Sequence, residues 1–223
     1  MRSQVYDRIR EAILSGELPA GSTVSPSDLA ESLGISTMPV REALRVLEDD
    51  GLIETSARRW SRVATPGAEV ADELYPLVAL LEAFAITNGD PPTERLLDRL
   101  SDANRELESA GAKEDVPGCI KADTKFHATL VSTSSNQSLI RIIDDLKARI
   151  SLLESTFFRS ERVKLSVTQH DKIVAALSAG DMDAVSDAIK ANWLSSLEPL
   201  HAALDTEGES CDGQVIQTGV TGE

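Results

Sequence analysis

The side chains able to do chemistry in this chain gather in its second half. Asp123 and His127 stand four residues apart in a segment of helical periodicity. That spacing puts both on one helix face, next to the apolar Phe126 and Leu130. His170 continues an apolar stripe with Ile173, Val174 and Leu177, and Asn192 continues one with Val185, Ala188 and Ile189. Buried polar groups need partners, so three helices aiming such groups into one core predict that they bond to one another or share an ion. Carboxylate plus imidazole suits Zn²⁺, Ni²⁺ or a similar divalent metal. A plain hydrogen-bonded Asp–His pair is the alternative. The remaining histidine, His201, is nine residues past Asn192 and points to nearly the opposite side of an ideal helix, although Pro199 could kink that segment.

A second constellation is cationic. Ser36 opens a helical pattern with Val40, Ala43, Leu44 and Leu47 as its apolar stripe, and Met38, Arg41 and Arg45 fall on the other side. Arg41, near the helix start, matches guanine O6 and N7 with its guanidinium fork. Ser36, Thr37 and the first backbone N–H groups suit a phosphate. Arg58, Arg59 and Arg62 cluster at a predicted hairpin, where they could follow the DNA backbone or enter the minor groove. Arginines on a wet helix face are commonly only solvated. The scaffold beneath these ones is what turns them into candidate DNA contacts.

That scaffold is legible from periodicity and punctuation. Val5, Ile9 and Ile13 recur at helical spacing before a Gly- and Pro-containing break at residues 16–21. Ser25 followed by Pro26 is a helix start signal, and the short helix over 28–33 stops at Gly34. The helix begun at Ser36 ends near Asp50-Gly51, and two short strands, 52–55 and 62–64, flank a tip at 56–61. Three helices and a hairpin within residues 1–65 predict a winged helix-turn-helix. Thr65-Pro66-Gly67 marks a seam. Beyond it, helices are predicted over 69–88, 93–110, 117–132, 136–157, 160–179 and 182–204, without strand signals, so residues 66–204 read as an all-helical bundle. The fold class is mainly α. Residues 205–223 hold five acids and no base and read as a disordered acidic tail.

The charge balance narrows the function. The 223 residues carry a formal net charge of −15, which excludes a protein that coats nucleic acid by bulk charge. Local DNA binding is not excluded, because the docking face decides it. Residues 1–65 hold eight arginines against ten acids, so the excess negative charge lies in the second part. The two cysteines, Cys119 and Cys211, are far apart. They rule out a disulfide framework and fit a cytoplasmic chain. No apolar run reaches membrane-spanning length; the longest, Leu74 to Ile86, is interrupted by Glu82.

The run LAESLGIS followed by PVREALRVLEDDGLI resembles the DNA-binding domain of the GntR family of bacterial transcription regulators. The helical part, with Asp123 and His127 and the later His170-Asp171-Lys172-Ile173 leading to Gly180-Asp181, resembles the FadR-like branch with an FCD ligand-binding domain. The resemblance implies a homodimer on a short palindromic operator, controlled by a small metabolite, often a carboxylate, in the helical domain. It implies metal ligands at Asp123, His127 and His170, with the usual late histidine replaced by Asn192. Three further departures stand out. Thr37 occupies a position that is commonly arginine, and Trp60 stands where the wing usually has glycine. Val78 replaces an arginine, three residues before Leu81-Glu82, that would pair with an acidic effector. Arg149 and Arg141 are the cations that could compensate, although surface positions are the simpler expectation for both.

The leading expectation is therefore a ligand-responsive transcription regulator, most simply a repressor, that partners with double-stranded DNA, an organic-acid effector and a second copy of itself. A metal-dependent hydrolase using Asp123, His127 and His170 is the alternative. A constitutive DNA-binding protein whose helical part only dimerises is a third reading. No G-x-S-x-G, H-E-x-x-H or P-loop motif supports an enzyme.

Overall fold

A computed structural model describes residues 2–56, 60–156 and 160–202. The predicted tail, 205–223, and the wing arginines Arg58 and Arg59 lie outside the described residues.

The N-terminal part is built from α1 (Arg2–Leu14), β1 (Thr23–Val24), α2 (Pro26–Leu33), α3 (Thr37–Asp49), β2 (Ile53–Ser56) and β3 (Trp60–Val63). The Ser25 side chain caps α2 by accepting from the Asp28 N–H. Gly34 ends α2 at φ 66°, a left-handed conformation that costs glycine nothing. Ser36 is the N-cap of α3, but its hydroxyl makes no capping bond. The strands form one antiparallel sheet in the order β1-β3-β2. The sequence reading contained β2 and β3 but not β1, because two residues are too short to show alternation. Val5, Ile9 and Ile13 of α1 share one apolar core with Val40, Ala43, Leu44 and Leu47 of α3 and with Leu52, Ile53 and Val63. This is a winged helix-turn-helix.

The second part comprises α4 (Ala68–Thr87), α5 (Glu94–Gly111), α6 (Val116–Val131), α7 (Gln137–Thr156), α8 (Ser160–Ala179) and α9 (Met182–Leu194). Side-chain caps set three of the starts: Thr93 accepts from Leu96 N–H, Asp115 from Gly118 N–H and Asp181 from Ala184 N–H. The helices surround one apolar core that includes Leu74, Leu100, Phe126, Leu153, Ile173 and Ile189.

Two findings depart from the sequence reading. The helix expected over 182–204 breaks at Ser195-Ser196 and resumes over 197–202. Pro199 has no N–H to return to the carbonyl four residues earlier, so one unbroken ladder cannot form there. The seam at 65–67 also separates the two parts less fully than the sequence implied. Ala148 and Leu152 of α7 belong to the head's own core, and Arg10 of α1 donates to the Asp144 backbone carbonyl at 3.0 Å.

Candidate functional site: a buried Asp–His–His centre and an exposed recognition helix

Asp123, His127 and His170 meet inside the bundle. One ligand atom from each can be chosen so that all lie within 4.8 Å of one another. His127 Nε2 is 3.8 Å from Asp123 Oδ2, and His170 Nε2 is 3.6 Å from Asp123 Oδ1. Both imidazoles are almost wholly buried. The His170 ring stacks on Phe126 at 3.7 Å between centroids, and His127 lies against Trp193 at 4.8 Å.

The outer nitrogens are tied down separately. His127 Nδ1 pairs with Glu82 Oε2 at 2.8 Å, and the same oxygen accepts the Trp193 indole N–H at 2.8 Å. His170 Nδ1 pairs with Asn104 Oδ1 at 3.0 Å. The orientation of Asn104 is fixed in turn, because its amide nitrogen donates to the Val167 carbonyl and to Asp171 Oδ1. A carbonyl or carboxylate oxygen can only accept, so each Nδ1 carries a proton, and in a neutral ring the Nε2 lone pair faces Asp123. This arrangement of outer partners is what imidazole ligands of metals require.

Burial pushes the His170 imidazole down to about 3, further than Asp123 can raise it, so the ring stays neutral. For Asp123, burial works against ionisation, but nearby positive charge, from His127 when its ring is protonated and from Lys147 and Arg162, outweighs it and holds the carboxyl below its ordinary range. Glu82 behaves alike: burial is overcome by His127 and Lys147 and by hydrogen bonds from His127 and Trp193. His170 Nε2 is buried and has no hydrogen-bond partner. A buried lone pair left open beside a carboxylate and a second imidazole fits a divalent cation.

Asn192 reaches the same place. It is buried, and its Nδ2 lies 3.5 Å from His127 Nε2. A half-turn of that amide would present Oδ1 instead. His201 is elsewhere, paired with Asp72 at 2.8 Å. Val78 is fully buried within the bundle's apolar core. Arg149 lies over Gly51, where an added Cβ would come within 3.1 Å of its Nε. Arg141 is exposed and donates to the Gln137 carbonyl. Arg149 therefore meets the head, and Val78 offers only an apolar side chain to the bundle core.

Sequence reasoning missed Glu82, Asn104, Lys147 and Trp193 as partners of the centre. A signal for Glu82 existed, as the one acid in the run from Leu74 to Ile86. Asn104 likewise interrupts the buried stripe of Leu96, Leu100, Ala103 and Leu107. Which histidine each would meet depends on how the helices pack.

On the head, Thr37, Met38, Arg41 and Arg45 of α3 are all exposed, with Val46 beside them. The buried residues Val40, Ala43, Leu44 and Leu47 hold the opposite face. Arg62 is more committed: its Nε and NH2 atoms bond Glu54 Oε2 at 2.8 and 2.6 Å, and its guanidinium stacks 4.5 Å from the Trp60 ring centre. Trp60 thus packs on Arg62 while remaining partly exposed.

A winged helix-turn-helix with a bare recognition-helix face, joined to a helical bundle with a polar centre, defines a one-component transcription regulator. The comparisons identify it further. Residues 1–63 match the bacterial regulatory proteins of the gntR family, and residues 73–194 match the FCD domain. The chain belongs to the GntR family of transcription regulators, in the group that carries an FCD domain. It is 26% identical over 211 residues to the HTH-type transcriptional regulator YdhC of Bacillus subtilis, covering 93% of this chain and 94% of that one. It is 23% identical over 200 residues to the gluconate operon transcriptional repressor of Bacillus licheniformis, covering 85% and 80%. Among solved structures, a GntR-type regulator from Rhodococcus sp. RHA1 superposes with a TM-score of 0.79 at 26% identity, covering 91% of this chain and 98% of that one. Both parts of the chain are thus assigned to regulation, which sets aside the hydrolase alternative.

Proposed function

We propose that this regulator is a homodimeric, cytoplasmic repressor. It would bind a short palindromic operator through α3 and the wing, and be controlled by a small molecule in the helical part. Met38, Arg41 and Arg45 are the base-reading candidates; Ser36 and Thr37 sit where a phosphate would meet the helix start. Arg58 and Arg59 are proposed backbone contacts. Arg62, held by Glu54, braces the wing and is the weaker candidate for DNA.

The dimer reading rests on an apolar stripe, Leu77, Leu80 and Phe84 on α4 with Ile142 on α7, each about half exposed or more. Exposed apolar side chains aligned along one helix face mark an interaction surface. No helix among the described residues is long and apolar enough to cross a membrane. Repression is supported by the Bacillus licheniformis relative, which is named a repressor.

The observation that carries the sensor reading is the open Nε2 of His170 facing Asp123. Asp123, His127 and His170 would hold a divalent metal, Zn²⁺ or Ni²⁺, with Asn192 or a water completing the set. Such an ion would act as a Lewis acid toward an effector oxygen. The residues' own task is to keep both Nε2 atoms unprotonated and aimed at one point, through Glu82 and Asn104. An effector shifts the two heads only if it binds their arrangements with different affinity.

Elemental analysis of protein purified without chelator tests the centre. Near-stoichiometric metal that is lost in His170→Ala is expected; no uptake from excess Zn²⁺ or Ni²⁺ would refute it. Selection from a random duplex library tests the operator. A short palindrome should emerge, and enrichment of no sequence would overturn that part.

A further inference from the structure

A cleft of about 570 Å³ lies between α1 of the head and helices α6 and α7 of the bundle. Leu14 and Ser15 line it from the head, Ile120 and Ile143 from the bundle, and His127 and Lys147 also border it. This is a volume in the range of small-molecule sites, and its walls are chiefly apolar. The acids at its mouth, Asp7, Glu11 and Asp144, are exposed to solvent.

Lys147 is the unusual member. It is only 8% exposed, and its ammonium has no hydrogen-bond acceptor. Glu82 Oε1 is the nearest carboxylate oxygen, at 3.8 Å, and the Trp193 ring centre is 5.2 Å away. Glu82 cannot swing closer without giving up its 2.8 Å bonds from His127 and Trp193. An ammonium has three donors to satisfy, and leaving them open in a buried place is costly. An oxyanion entering the cleft would supply the acceptors.

We infer that the cleft binds an amphipathic carboxylate, an organic acid with an apolar body. Its carboxylate sits on Lys147 and its body lies between α1 and the α6–α7 wall. The inference rests on the regulator being effector-controlled, and it adds where the effector acts. Arg10 already donates across the head–bundle junction to the Asp144 carbonyl at 3.0 Å. A ligand touching both walls gains its head contacts only in this arrangement, so it favours this arrangement over others.

The experiment titrates 4-phenylbutyrate, with 4-phenylbutanamide as its neutral twin, by calorimetry and by Trp193 emission in Trp60→Phe protein; Trp60 and Trp193 are the chain's two tryptophans. The acid should saturate a site and bind at least about tenfold more tightly than the amide. Lys147→Met should weaken the acid by about tenfold or more. Ser15→Phe, which fills the cleft from the exposed head side, should do the same without touching the bundle core. Equal binding of acid and amide overturns the inference, as does no saturable binding of the acid. Acid binding that survives both Lys147→Met and Ser15→Phe but is lost in Arg162→Met would place the ligand inside the bundle and overturn it as well. Operator binding is measured on the same samples. If it persists while the acid fails to bind, the cleft inference falls and the regulator reading stands. Acid binding through Lys147 without operator binding gives the reverse.

Discussion

Glu82 offers the sharpest test of how the buried centre is held together. Gln is nearly isosteric, so Glu82→Gln creates no cavity and isolates the charge. The carboxylate accepts from His127 and Trp193 at 2.8 Å each and lies 3.8 Å from Lys147. Hydrogen bonds to a charged group are worth about 1.5–3 kcal/mol, against about 0.5–1.5 for neutral pairs, so the two bonds together should lose about 2 kcal/mol. Lys147 also loses its nearest counter-charge. Part of this is returned, because an amide is cheaper to bury than a carboxylate. The expected net destabilisation is about 2–4 kcal/mol, or a fall in Tm of roughly 5–15 °C for a chain of this length. The assay is urea and thermal unfolding followed by far-UV circular dichroism. Because Glu82 also fixes the His127 tautomer, Zn²⁺ affinity, read by competition with a chromophoric chelator, should fall by about 10- to 100-fold. A Glu82→Gln protein that melts within about 1 °C of the parent and binds metal equally well would refute the reasoning.

Other perturbations separate the remaining parts. Arg41→Ala should weaken binding to the selected operator by about 1–3 kcal/mol and relax specificity at one base pair, measured by fluorescence anisotropy against single-base variants. An unchanged preference would remove Arg41 from the reading set. Leu80→Glu on the exposed α4 stripe should shift sedimentation from dimer to monomer while leaving the helical circular dichroism intact; a persistent dimer places the interface elsewhere. Gly51→Ala should cost about 1–2 kcal/mol in urea unfolding, because Gly51 has φ 73° and its missing Cβ position lies 3.1 Å from Arg149 Nε. A neutral result there would mean that Arg149 yields and the backbone tolerates the strain.

The sequence by itself determined the elements and the family. Capping and breaking residues such as Ser25-Pro26, Gly34 and Asp181 act locally, so the helix boundaries were largely legible. The run from Leu29 to Ile53 was specific enough to identify the DNA-binding part, and helical spacing put Asp123 and His127 on one face. His170 and Asn192 were identifiable as polar residues on apolar stripes. The tertiary structure decided what those residues meet. Glu82 on α4 and Asn104 on α5 are distant in sequence from the histidines, and only the packing of the helices brings them within bonding reach and sets Lys147 of α7 beside Glu82. The same holds for the pairing of Arg62 with Glu54, the split of the last predicted helix at Ser195-Ser196, and the contact of α1 with α7 that forms the cleft. Local patterns encode periodicity and punctuation, which depend on neighbours a few residues away. Partner choice in a buried centre depends on crossing angles and on the rotation of each helix about its own axis, and those are fixed by the core as a whole.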